Sequence, residues 1–474
     1  MVNLLFVALE FKLCSQAKAD KIKDGVIFLQ KLAIISTYDD LCGIAGYTKA
    51  LVRQLQQDYD VTVFDLDQYL LRSTIRSIRR LGDELIAEIV SKLPAFDVVN
   101  IQLEHGTLGA TPADIFRRFE SLVRHGKPLT VTFHTVLPVG GRGARDLARA
   151  VRHLDRRGFF EILHEMRVGR ELGHPVMRSL ARRQKRAKTS VIFHTRRDAR
   201  SHKLIYGLDR VFDHPLAFYG STGKLMPPRT RVNLPAALKA EVRPVVLGIF
   251  GFISPYKGIH TAIQALRRLP GNYHLMVFGG LHPNDIRKGY SVHPYLEKVM
   301  DLVTDDFGAM AASKKKGVFE GQVNLHIDSS ATLQRLMSGM CDISQRVHFM
   351  GAVRDDEFAS AIQLCDIVVL PYEEVGQSSS GPLAIANDVG ARIVCARNKA
   401  FLQYERYNPG RLNFFDIGNY LELAQRIISV AESPPPGLPQ SYTVETNRAV
   451  YKASFEMPSD SIEPFIRKLA GKDD

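Results

Sequence analysis

Residues 373–381 (Glu-Glu-Val-Gly-Gln-Ser-Ser-Ser-Gly) place carboxylates, an amide, three hydroxyls and two glycines directly after an apolar run, Ile367 to Leu370. The run has the length and composition of a buried strand, and a helical stretch follows Gly381. At such a strand–loop–helix junction, free backbone N–H groups and the positive end of the helix dipole gather beyond the carboxyl edge of the sheet. Ser378, Ser379 and Ser380 add hydroxyl donors, and Gly381 lets a ligand approach the backbone. The chemistry that suits this loop is the holding of an anion such as a diphosphate.

Other polar residues stand at the ends of apolar runs. Lys257, in Ser-Pro-Tyr-Lys-Gly, precedes a helix, where an ammonium either meets solvent or neutralises an anion. His134 closes the run 129–134, either capping the strand or facing a ligand. Glu104 and His105 end the run 96–103 and are expected to face a cleft or to form a turn. Gly43 and Gly46 lie in the loop after the first strand. His194 ends 190–195 and reads as structural. Asp65 and Asp67 form a DxD that reads as a strand-end coincidence. There is no GxGxxG after the first strand, no GK[ST], no HExxH and no GxSxG.

The elements that must position these residues fall into two strand–helix series. Strands are expected at 31–37, 61–66, 96–103, 129–134 and 190–195, then again at 245–252, 273–280, 346–353, 367–370 and 393–396. Alternation with helices predicts an α/β fold with two facing, doubly wound Rossmann-like domains and a cleft between them. The division expected is an extension at 1–30, a first domain at 31–219, a Pro/Gly-rich linker at 220–244, a second domain at 245–433 with an insertion near 283–335, and a tail at 434–474. That tail is expected to hold one amphipathic helix, about Asn447 to Ala470.

At 474 residues the chain exceeds one ordinary core. Five scattered cysteines without CxxC spacing read as reduced thiols, which points to the cytoplasm and away from a zinc site. The apolar start, MVNLLFVALEF, lacks a basic leader and a small-residue cleavage site, which argues against a signal peptide. A start placed too far upstream fits it equally well. The net charge of +13 is concentrated between Arg142 and Lys203, with 18 Lys/Arg against 6 Asp/Glu. That stretch is either a solvated helical face or a surface for an anionic membrane or acceptor. Trp is absent and aromatics are sparse there, which argues against nucleic acid.

GFISPYKGIHTAIQALRRL, YHLMVFGG, VHFMGAVRDDEFASAIQLCDIVVLPY and GQSSSGPLAIANDVGARIV occur in this order over the second half. Together they resemble the retaining nucleotide-sugar glycosyltransferases of glycosyltransferase family 4, in a Gln-Ser-loop variant, with the GT-B fold. The first half is similar more loosely, through its glycine loop, VTFHT and VIFHTRRDARSHKLIYG. The resemblance implies that Lys257 and the loop Ser378–Gly381 hold a donor diphosphate. It implies that Gly43 and Gly46 approach the donor, and that His134 lies at the cleft floor near the reaction centre. Glu104 and His105 become acceptor-side candidates. The family's usual pair of glutamates is incomplete. The first falls near Gln377, or on Glu373 or Glu374, and the second on Ile385. Phe252 stands where an arginine is usual.

The resemblance implies transfer of a sugar from a nucleoside-diphosphate sugar to the hydroxyl of a glycan, lipid-linked or protein acceptor, with retention and without a metal or other cofactor. The expected setting is cytoplasmic, including the inner face of a membrane. A nucleotide-sugar epimerase and a non-catalytic GT-B-like scaffold are the alternatives.

Overall fold

Val98–Leu103 is buried along its whole length, as is Tyr273–Phe278, because strands covered on both faces select near-continuous apolar runs. The computed structural model describes residues 22–23, 26–27, 29–40, 42–137, 144–222, 225–228, 230, 232–233, 235, 238, 243–281, 293–304, 343–376 and 378–469. Gln377, Arg142, most of residues 1–30 and most of the expected insertion at 283–335 lie outside the described residues.

The first sheet contains β1 (Gln30–Ser36), β2 (Tyr59–Asp65), β3 (Val98–Leu103), β4 (Leu129–Phe133), β5 (Thr189–Phe193) and β6 (Val211–Asp213). Their spatial order is β2-β1-β3-β4-β5-β6, all parallel. Helix α1 (Gly43–Leu55) follows β1, with the Cys42 thiol accepting from Ala45 N. The basic stretch folds as α2 (Ala144–Arg152), α3 (Arg156–Val168), a π-turn at Gly169–Gly173 and α4 (His174–Gln184).

The second sheet contains β7 (Val245–Phe250), β8 (Tyr273–Phe278), β9 (Val347–Gly351), β10 (Ile367–Leu370), β11 (Arg392–Ala396) and β12 (Asn413–Phe415). They run in the order β9-β8-β7-β10-β11-β12, again all parallel. The order reverses between β7 and β10, where Leu247 pairs with Ile367. Such a switch point opens a crevice at the carboxyl ends of its two strands. Helices α5 (Ile259–Leu266), α6 (Asp355–Gln363), α7 (Gly381–Asp388) and α8 (Lys399–Glu405) flank this sheet.

The single helix expected at the end of the chain is two: α9 (Val444–Glu456) and α10 (Ile462–Leu469). Pro458 has no N–H to continue the ladder and drives Met457 to extended backbone, φ −69° and ψ 140°. Helix α9 returns to the first sheet, where its Tyr451 and Ser454 meet the hydroxyls of Thr132 and Thr130 at 2.9 Å.

Candidate functional site

Lys257 follows β7 and Tyr372 follows β10, so the switch point of the second sheet brings them together. The Lys257 Nζ donates to Tyr372 Oη at 2.6 Å and lies 3.9 Å from the Tyr372 ring centroid and 5.0 Å from that of Tyr256. The lysine is 5% exposed. Burial pulls its ammonium down to about 7, since water no longer solvates the charge. Gly251 makes room: a Cβ there would sit 3.1 Å from Nζ. Tyr372 Oη in turn donates to Phe250 O at 3.4 Å.

Ser380 is the N-cap of α7 and accepts from Leu383 N at 3.5 Å, with Pro382 in the first turn. Ser378 and Ser380 are buried and Ser379 is half-buried. The serine loop therefore lines the mouth of a helix N-terminus. Glu374 is engaged elsewhere, its carboxylate accepting from Gly376 N at 3.2 Å and Lys399 N at 2.9 Å. That ties the loop to the start of α8. Ile385 is buried in α7, packed into the core that joins the two halves.

Across the crevice, the ends of β4 and β5 present His134 and His194, ring centroids 5.0 Å apart. His134 Nε2 donates to Gln102 Oε1 at 2.8 Å, while the Gln102 amide nitrogen donates to Asn100 and, at 3.2 Å, to Tyr451 Oη. With the amide so oriented, the His134 proton sits on Nε2 and Nδ1 keeps its lone pair. Burial, and then His194, hold His134 well below the usual imidazole range, so the ring is neutral. His194 Nδ1 donates to His214 O at 3.0 Å, and its buried Nε2 has no partner among the described residues. Burial takes it down to about 4. Tyr47 of α1 stacks edge-on against both histidines and against Phe218, at 5.3, 5.8 and 5.4 Å.

The two sides meet in a pocket lined by His194, Thr195, Leu216, Ser378, Ser379 and Ser380, among others. His194 thus belongs with the serine loop, and the structural role read for it from sequence covers only its Nδ1. Glu104 Oε2 accepts from Thr135 Oγ1 at 2.6 Å, beside His134, and burial raises its carboxyl. Of the two readings for His105, the turn is the one the structure shows. The 3-10 turn at His105–Thr107 swings its ring onto Phe133, 6.2 Å away in the first sheet's own core. A Cβ on Gly43 would meet open space, whereas one on Gly46 would lie 3.4 Å from Asp355 Oδ1, whose carboxylate pairs with Lys49 at 2.8 Å. Gly46 thus lets α1 approach α6. Asp65 accepts from Tyr38 N at 2.7 Å and Asp67 caps the helix Gln68–Arg72, so both have backbone partners. No cluster of three metal-ligating side chains occurs among the described residues.

Two parallel six-stranded sheets, meeting at their carboxyl edges around one crevice, define two Rossmann-like domains in the GT-B arrangement. The chain is similar in fold to sucrose-phosphate synthase from Thermosynechococcus elongatus, with a TM-score of 0.50 and 14% identity over 94% of this chain and 100% of that one. It is also similar to Anabaena HepE in complex with UDP and glucose (TM-score 0.47, 14% identity, 93% and 98% covered). A third similar structure is a Listeria monocytogenes protein assigned as a UDP-N-acetylglucosamine 2-epimerase (TM-score 0.47, 13% identity, 90% and 97% covered). No family model and no curated protein matches the chain.

Proposed function

We propose that the protein is a glycosyltransferase that moves a sugar from a nucleoside-diphosphate sugar to an acceptor hydroxyl with retention. The observation that carries this reading is the bond of the buried Lys257 ammonium to the Tyr372 hydroxyl, at the end of the strand that leads into the serine loop capping α7. A diphosphate seated on Ser378–Gly381 would meet hydroxyl donors, the helix dipole and a buried ammonium that has no carboxylate partner among the described residues. Negative charge grows on the departing diphosphate, so these groups stabilise the transition state more than the ground state. This assigns charge neutralisation to the chain itself, with no metal.

The sugar would then lie between the serine loop and the two histidines. His134 Nδ1 and His194 Nε2 are both acceptors, suited to sugar hydroxyls and not to general acid catalysis. In this reading the departing phosphate takes the acceptor proton, with attack on the same face, and Glu104 stays bonded to Thr135 beside His134. The sequence resemblance, the GT-B fold and this constellation support the reading together.

Incubation with UDP-, GDP-, ADP- and dTDP-sugars is expected to release nucleoside diphosphate from at least one donor. Lys257→Ala should abolish that release. Interconversion of the sugar without release would make the protein an epimerase. Neither binding nor turnover of any donor would leave a GT-B scaffold, the reading that Ile385 and the engaged Glu374 favour.

A further inference from the structure

Helices α2 and α3 pack against each other as a hairpin that comes after β4 and His134 in the chain. Ala150 and Ile162 are buried. The outer face is apolar as well: Val151 is 57% exposed, Leu154 88%, Phe160 66% and Leu163 45%. A surface helix of a self-sufficient domain has one apolar stripe, so a second one calls for a further partner. Leu154, in the turn between the helices, has φ +55°. A leucine is strained in that left-handed region, and its outward side chain makes no compensating packing.

Arginines outnumber carboxylates around this tip. Arg145, Arg149, Arg152 and Arg156 are exposed. The nearby carboxylates are partly engaged, Asp155 accepting from Gly158 N at 2.9 Å and Asp146 facing Arg149 at 3.5 Å. Glu161 and Glu165 lie further along α3. An apolar wedge collared by guanidinium groups matches the boundary of an anionic bilayer, where the wedge enters the acyl region and the collar meets lipid phosphates. A protein partner would more naturally meet a flat patch than a projecting turn.

We propose that the α2–α3 hairpin docks this protein on an anionic membrane surface. Under the transferase reading, docking would hold the protein at a surface that carries lipid-linked acceptors. The two ideas fail separately, because docking is read without any nucleotide sugar.

The test is co-sedimentation of the full chain with phosphatidylcholine vesicles, with and without phosphatidylglycerol. Binding to the anionic vesicles at low salt, weakening at high salt, is expected, with little binding to phosphatidylcholine alone. Leu154→Asn should reduce binding by about tenfold, the scale of one apolar side chain withdrawn from the acyl region. Asn suits the left-handed turn, so its melting temperature should not fall. Arg149→Glu with Arg152→Glu should remove the salt-sensitive component. No binding to anionic vesicles at low salt, or undiminished binding of Leu154→Asn, overturns the proposal. Salt-insensitive oligomers dissolved by Leu154→Asn would also overturn it, since a second copy would then cover the hairpin.

Discussion

The Lys257 ammonium and the Tyr372 hydroxyl lie 2.6 Å apart, with the ammonium also against the aromatic face at 3.9 Å from its centroid. Such a cage tolerates a cation and offers it little counter-charge. With its ammonium at about 7, the free protein holds this proton only partly near neutral pH. A bound diphosphate favours the charged form, so binding above pH 7 should take up a proton. Affinity for the nucleoside diphosphate is expected to fall as pH rises from 7 toward 9, by up to about tenfold per unit. Calorimetry in buffers of different ionisation heat reads the uptake directly. Lys257→Met should bind weakly, with a flat pH dependence, and equal heats in all buffers for the parent would sink the idea.

Gln102 fixes which nitrogen of His134 carries the proton. Gln102→Glu keeps an acceptor toward Nε2 but adds a buried negative charge, so the His134 pKa should rise. Donor turnover should then acquire an ionisation between about pH 5 and 8 that the parent lacks. Gln102→Leu removes the acceptor and should lower kcat by roughly tenfold to a hundredfold, with a smaller change in KM. An unaltered pH profile in Gln102→Glu would reduce Gln102 to a packing residue.

Gly258 joins the turn that carries Lys257 to α5, at φ +64°. A Cβ there would lie 1.9 Å from Pro371 O, a backbone atom that cannot step aside. Gly258→Ala is therefore expected to destabilise the protein by about 3 kcal/mol or more. Chemical unfolding measures this, and a loss below about 1 kcal/mol would contradict the geometry.

Asp388 accepts from Phe218 N at 2.7 Å and from Tyr219 N at 3.1 Å, and burial lifts its carboxyl to about 8. The folded state keeps this proton up to about pH 8, whereas the unfolded chain releases it near its ordinary value of about 4. Between those limits the folded state binds more protons, so this group's contribution to stability declines as pH rises, and levels off above 8. Asp388→Asn retains an acceptor for both N–H groups without the charge. It should match the parent near pH 4–5 and exceed it by about 1–3 kcal/mol at pH 9. Guanidinium unfolding at the two pH values checks the difference.

The longer strands were legible because burial on both faces writes itself as runs such as VVLGIF and VVNIQL, whereas the three-residue edge strands Val211–Asp213 and Asn413–Phe415 are too short to show one. The crevice was legible for a related reason: Lys257 and the serine loop stand at strand ends, where polar residues interrupt those runs. Tyr372 was not, since a tyrosine closing an apolar strand looks like core. Gln102 and Tyr451 meet across 349 residues of sequence, a contact that no local pattern contains. His105 looked equivalent to His134 as a strand-end histidine, and only the turn geometry separates them. The break at Pro458 was visible in the letters, but the apolar spacing on either side concealed it.

Helix α9 returns to the first sheet, so the chain passes between the two sheets twice, after β6 and before α9. The two passages touch, with Ala217 and Leu225 of one packed on Val444 of the other, and with His214 Nε2 2.8 Å from Thr446 Oγ1. A single tether would let one lobe swivel freely over the other. Two tethers fused at one place act as a common bearing. Asp388 grips the bearing from the second lobe through Phe218 and Tyr219. A swing of one lobe over the other would turn about that bearing and change the gap between His194 and the serines.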